Sequence, residues 1–268
     1  MEILNDACAM AACAPWRKSK TIYRFDPDLA AELMENAEDI VVPTDILDRM
    51  PYQCIYIDVK CDDISGFFVH KDFDFRKNVE ELRFVLVSED GTCSTLRMEI
   101  CQGKTFFDSL NETYRQDKKG IGYMDAIALE AGAIMRYSQL VLYLCAENRE
   151  VSENPTQAKI HKKRSSVHDV IAEVRKWDVG VWIGSAIRRV KLERKTKEEP
   201  GESDTESQDH EAIPGKRKRP HARRAHWHHY RVGKGKKDLI LKWTPPTFIN
   251  ADLLEDGDTP AVIHSVKE

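Results

Sequence analysis

Ten Lys or Arg residues and four histidines fall between Gly215 and Lys237, a stretch with no acidic residue. Within it Arg224, His226 and His228 stand two residues apart. In an extended run alternate side chains share a face, so these three project together. Such a trio suits RNA cleavage without a metal. One imidazole takes the 2′-hydroxyl proton, the other protonates the leaving oxygen, and the guanidinium stabilises charge on phosphorus. Two histidines on one face also begin a zinc site, but no further ligand stands at a telling spacing, so neither a metal nor any other cofactor is expected. A third use is phosphate contact: Arg217, Lys218, Arg219, Arg223, Lys236 and Lys237 surround aromatic residues suited to stacking. A purely structural use competes with all three, because an Arg-His strand can form a polar network with neighbouring carboxylates.

The trio needs a strand to hold it. "ARRAHWHHYRV" places Ala225 and Trp227 on the face opposite His226 and His228. After the turn "GKGKK", "DLILKWT" aligns Leu239, Leu241 and Trp243 on one face, and Pro245-Pro246 ends the run. Upstream, "CIYIDV", "GFFVHKDFDF", "ELRFVLVS" and "CSTLRMEI" read as an antiparallel meander of about four strands, with Asp90-Gly91 in a turn. Helical patterns surround it. Asp26 caps a short helix that opens with Pro27, a second begins at Pro43, and another starts at Thr105 or Asp108. The stretch from about Tyr123 to Asn148 is apolar on most faces, as a buried central helix is. Asp178 offers an N-cap for "VGVWIGSAIRR".

The expected class is α+β: an antiparallel meander sheet packed on a long buried helix, with a C-terminal β-hairpin joining the sheet. The expected organisation is a flexible N-terminus (1–20), a main α+β domain (21–195) and a disordered charged linker (196–218). A C-terminal hairpin (219–250) then completes the same domain ahead of a tail (251–268).

Charge is segregated although the net value is only −4. Residues 198–214 hold seven acids and no base, immediately before the basic run. Seven cysteines, an odd number with no C-x-x-C pair, point to reduced thiols in a cytoplasmic setting. The first residues lack a basic stretch before an apolar one, so no secretory leader is read, and no apolar run approaches the roughly 18 residues of a membrane span. P-loop, G-x-G-x-x-G, G-x-S-x-G and H-E-x-x-H patterns are missing, which removes support for the common nucleotide-dependent and hydrolase chemistries.

Three blocks, "LVLYLCAENRE", "KWDVGVWIGSAIRR" and "RPHARRAHWHHYRVGKGKKDLILKWTPPTFIN", occur in that order. Together they resemble a bacterial, phage and plasmid family that includes the second type V-A anti-CRISPR inhibitor. The most specific elements are Arg219–His221, Arg223–His228 and Lys242–Pro246, and the likeness runs from about Phe25 to Asn250. The resemblance implies a cytoplasmic anti-CRISPR protein of a mobile element acting in a bacterial host. It would recognise the nascent N-terminal peptide of the type V-A CRISPR effector, and effector mRNA would be lost. The implied partners are that peptide and an mRNA or the ribosome, with no membrane. No catalytic residue comes with the resemblance. From the residues alone, a ribonuclease and a non-catalytic RNA-binding module stay open.

Overall fold

The computed structural model describes residues 2–35, 41–61, 63–115, 121–157, 174–197 and 221–249. Residues 198–218 of the expected linker, with Arg217 and Lys218, as well as Arg219 and the tail, lie outside them, while Thr196 and Lys197 end a helix. The class is α+β, built on a seven-stranded sheet ordered β5-β4-β3-β2-β1-β7-β6. Strands β2 (Cys54–Asp58), β3 (Ile64–Asp74), β4 (Val79–Ser88) and β5 (Cys93–Ile100) form the expected antiparallel meander.

Three further strands complete the sheet and make it mixed. β1 (Thr21–Phe25) runs parallel to both β2 and β7 (Arg175–Val179), and the short β6 (Thr156–Gln157) pairs antiparallel with β7. Both parallel segments carry charged residues, Arg24 in β1 and Arg175, Lys176 and Asp178 in β7, which hides them from a reading based on apolar runs. The charges are matched across the sheet. Arg24 lies opposite Asp58 on one side and Asp178 on the other, and its guanidinium pairs with Asp178. Lys176 pairs with Asp58 at 2.8 Å. Asp178 therefore belongs to a strand and is not the cap expected of it.

The sheet packs on α4 (Ile121–Cys145), whose C-terminal residues from Leu140 to Ala146 are at most 1% exposed. Each large apolar side chain buried there contributes about 1.5–3 kcal/mol relative to exposure. Helices α2 (Pro27–Glu35), α3 (Phe106–Arg115) and α5 (Val181–Lys197) complete the layer. Their starts follow local chemistry. Asp26 Oδ1 accepts from the Asp28 amide at 2.9 Å, and Thr105 and Asp108 exchange side-chain-to-backbone bonds as a capping pair. Pro43 leads into a 3₁₀ turn, Thr44–Arg49.

The opposite face of the sheet is partly covered by α1 (Glu2–Ser19), where the sequence reading expected a flexible end. Trp16 holds it down. Its ring meets Phe68 edge-on at 5.8 Å, and its indole N–H donates to the Thr21 carbonyl at 2.8 Å. The same sheet face carries an ion network. Glu81, fully buried, accepts from Arg83 and from Arg97 at 2.8 Å each. His70 lies beside it, buried, and its Nδ1 finds no hydrogen-bond partner among the described residues.

The C-terminal strands stand apart from the sheet. β9 (His226–Val232) pairs with β10 (Asp238–Thr244), and β8 (His221–Arg223) pairs with β11 (Thr247–Ile249). They make two small antiparallel ladders with no ladder to the main sheet. The hairpin therefore does not join the sheet as expected; it completes the core through side chains.

Two stability predictions follow from the outer face. Glu81→Ala removes the buried acceptor shared by Arg83 and Arg97 and is expected to cost about 1–3 kcal/mol, read as a lowered urea midpoint. Burial is the main force holding the His70 pKa below its ordinary 6.5, with nearby Asp72 opposing it. The unfolded chain then binds the proton first. Stability should be full above the ordinary His pKa and decline as pH falls toward the lowered folded value. A His70→Gln variant should show a flatter profile between about pH 7.5 and about pH 5.5.

Candidate functional site

The hairpin is clasped by the C-terminal end of α4. Asn148 closes a two-bond ring on Trp243: its Oδ1 accepts from the Trp243 amide at 3.0 Å and its Nδ2 donates to the Trp243 carbonyl at 2.8 Å. The Glu147 amide donates to the Leu241 carbonyl at 2.9 Å. Leu239, Leu241 and Trp243 are buried, and Trp243 meets Tyr143 edge-on at 5.8 Å. Trp227 lies opposite Trp243 in the ladder, and its indole N–H donates to Gln139 of α4 at 2.5 Å. At the far end Arg231 bonds Asp45 at 2.8 Å; that bond holds the Asp45 carboxyl below the usual range, helped by the Gly103 amide. One face of the hairpin is thus turned to docking, as the alternation predicts, with Trp227 and Arg231 engaged and His229 exposed between them.

The other face is open. His226, His228 and Tyr230 alternate along β9, opposite Thr244, Lys242 and Ile240 of β10. The His228 and Tyr230 rings are 5.7 Å apart, tilted by 46°. The Lys242 ammonium lies 5.8 Å from the centre of the Tyr230 ring. A hydrogen bond to Tyr230, its charge and then Glu147 keep Lys242 protonated above its usual range. His226 turns Nδ1 toward the Arg224 carbonyl at 3.3 Å. A carbonyl only accepts, so Nδ1 is the donor in this contact, and the neutral tautomer that makes it leaves Nε2 as an acceptor.

The expected trio is brought together only in part. His226 and His228 share the open face, whereas Arg224 sits in the break between β8 and β9, exposed, with Ala225 buried beside it. The run read as one strand is therefore two. Lys236 and Lys237 are exposed in the turn, where Gly233, Gly235 and Lys236 all take positive φ. Arg223 has its backbone in β8. The sequence alternation puts Tyr230 on the face of His226 and His228 without a role, and Lys242 enters only through the Lys242–Pro246 element. Counting the register outward from the turn, Val232 against Asp238, would have placed Lys242 across from His228.

A concavity of about 530 Å³ opens at the carboxyl ends of β1, β2 and β7. Phe25, Ala30, Met34 and Val59 give it an apolar floor, and Arg24 and Asp178 stand at its rim. Gly180, at φ +72°, turns the chain from β7 into α5 where a Cβ would strike Leu29. The first amides of α5 are taken: Trp182 and Ile183 donate to the two oxygens of Glu150 at 2.8 and 2.9 Å. That carboxylate fills the place a phosphate would occupy at a helix start. Beside the mouth Trp182 is 79% exposed.

A family model described as the Anti-CRISPR type V subtype A2 family, AcrVA2-like, matches residues 23–251. The chain belongs to the AcrVA2-like family. Its fold agrees with the crystal structure of AcrVA2, at a TM-score of 0.54 and 21% identity over 88% of this chain and 74% of that one. Among curated proteins it is similar to Protein FinQ of Escherichia coli, 24% identical over 92% of this chain and 77% of that protein. Membership in the AcrVA2-like family supports an anti-CRISPR role. The matched span takes in the hairpin, its α4 clasp and the cleft, while α1 precedes it. Among the described residues no helix is long and apolar enough to cross a membrane, and no group of three or more His, Cys, Asp or Glu is placed to hold a metal.

Asn148→Ala leaves the Trp243 amide and carbonyl without side-chain partners in a buried place. The expected loss is about 1–3 kcal/mol, with faster amide hydrogen exchange at Leu241 and Trp243 and little change in β3 and β4. Uniform exchange across all these strands would contradict a local clasp.

Proposed function

We propose that the chain is an anti-CRISPR protein that suppresses production of the type V-A effector by recognising its nascent N-terminal polypeptide, with loss of the effector mRNA. The observation that carries this reading is the presence of two chemically unlike surfaces in one AcrVA2-like chain. The cleft at the carboxyl ends of the parallel strands suits an unfolded peptide. Its floor takes an apolar side chain, and the Arg24–Asp178 pair at its rim can meet peptide dipoles. The open hairpin face, with its lysines, suits RNA or the ribosome.

The test is co-expression with a type V-A effector, quantifying effector transcript and protein. Both are expected to fall. Unchanged transcript and protein, with interference intact, would overturn the reading. Ala31 is exposed on α2 and lines the cleft, so Ala31→Arg should block peptide entry and restore effector levels without unfolding the chain.

The Nδ1 tether of His226 favours a second reading, metal-independent ribonuclease action. Nε2 of His226 would take the 2′-hydroxyl proton and His228 would protonate the leaving oxygen. Purified protein with RNA, peptide and ribosomes decides this. Cleavage lost in both His226→Ala and His228→Ala supports it, and intact RNA with wild-type protein assigns the cutting to a host nuclease.

A further inference from the structure

We infer that the open face of β9–β10 is a stacking platform for single-stranded RNA, with Tyr230 and His228 taking bases and His226 reading the ribose. The inference rests on the reading of this face as an RNA contact and names the kind of RNA and the side chains that hold it. Three features of the face carry it.

The first is the rings. Tyr230 and His228 occupy alternate positions of one strand and are tilted, so each presents a face of its own. Lys242 braces Tyr230 from the neighbouring strand. Unpaired bases gain about 1–3 kcal/mol each by stacking on such rings, whereas bases inside a duplex are already stacked.

The second is charge. Lys242, on the ladder, and Arg224, Lys234, Lys236 and Lys237, exposed at its ends, are the cations of this region. Facing them are Glu147, which pairs with Lys242 at 3.6 Å, and Asp238 at the base of the turn. Cations outnumber carboxylates, as a phosphate backbone requires. The exposed aromatic pair Phe73 and Phe75, at the tip of β3, is the contrasting case. Its rings are 5.0 Å apart, but Asp72, Asp74 and Glu80 lie beside Arg76 and Lys77 in sequence and register, so charge does not select a polyanion there.

The third is the orientation of His226. Its Nδ1 faces the Arg224 carbonyl at 3.3 Å, and the neutral tautomer that donates there presents Nε2 as an acceptor. A 2′-hydroxyl donates to such a nitrogen and deoxyribose cannot, so this position separates RNA from DNA.

The experiment is fluorescence anisotropy of the full chain with a labelled single-stranded RNA of about a dozen nucleotides. The matched DNA strand and the RNA duplex are run in parallel. Single-stranded RNA should bind tightest, with affinity falling steeply as salt rises. Tyr230→Ala should weaken it about ten-fold or more, Tyr230→Phe should stay near wild type, and His226→Ala should erase the preference for RNA over DNA. Near-ultraviolet circular dichroism, dominated by the docked tryptophans, checks that each variant keeps its fold. Absence of RNA binding at low salt, duplex binding as tight as single-strand binding, or a folded Tyr230→Ala that binds like wild type would each overturn the proposal. Purified protein and RNA alone are used, so the result stands apart from whether effector levels fall in cells.

Discussion

Tyr143 is where the molecule is tied together. Its ring is wedged between Phe25 of β1 and Trp243 of the hairpin, meeting each edge-on. Its hydroxyl accepts the Glu150 amide at 3.1 Å. Glu150 in turn caps α5, so one buried phenol links sheet, hairpin, loop and helix start. Burial pushes its pKa well above the ordinary value, which keeps the hydroxyl neutral and fixed in this role. Cys145, two residues on, is driven up to about 12 by the same burial and behaves as a small apolar side chain.

What was legible in the sequence was whatever apolar spacing or capping chemistry specifies locally. The meander, the long buried helix and the two-faced hairpin follow from alternation and continuous apolarity. Asp26 and Thr105 announce helix starts with short polar side chains at positions that need them. The parallel strands were not legible, because Arg24, Asp58, Lys176 and Asp178 are stabilised by partners distant in sequence. Only tertiary pairing turns those residues from solvated charges into strand positions. Asp178 shows the same limit: an acid before a helix reads as its cap, yet the cap comes from Glu150.

The candidate site divides along the same line. The inward commitment of Trp227 and Trp243 was readable, and so was the sharing of one face by His226 and His228. The break at Arg224 was not. It arises because β8 turns away to pair with β11 beyond the two prolines, and Ala225 is drawn into the core at the corner. Nor could the sequence say that the start of α5 is occupied. With Glu150 in place, the cleft at the parallel strand ends is shaped for an apolar or dipolar guest instead of a phosphate.

The Asn148 clasp has a consequence for how the chain tolerates change. The groups just past α4 hold the hairpin through the main chain of Leu241 and Trp243, so the clasp itself makes no demand on those two side chains. Volume-conserving apolar exchanges on the docked face can therefore accumulate while the hydrogen bonds, and with them the placement of the hairpin, persist.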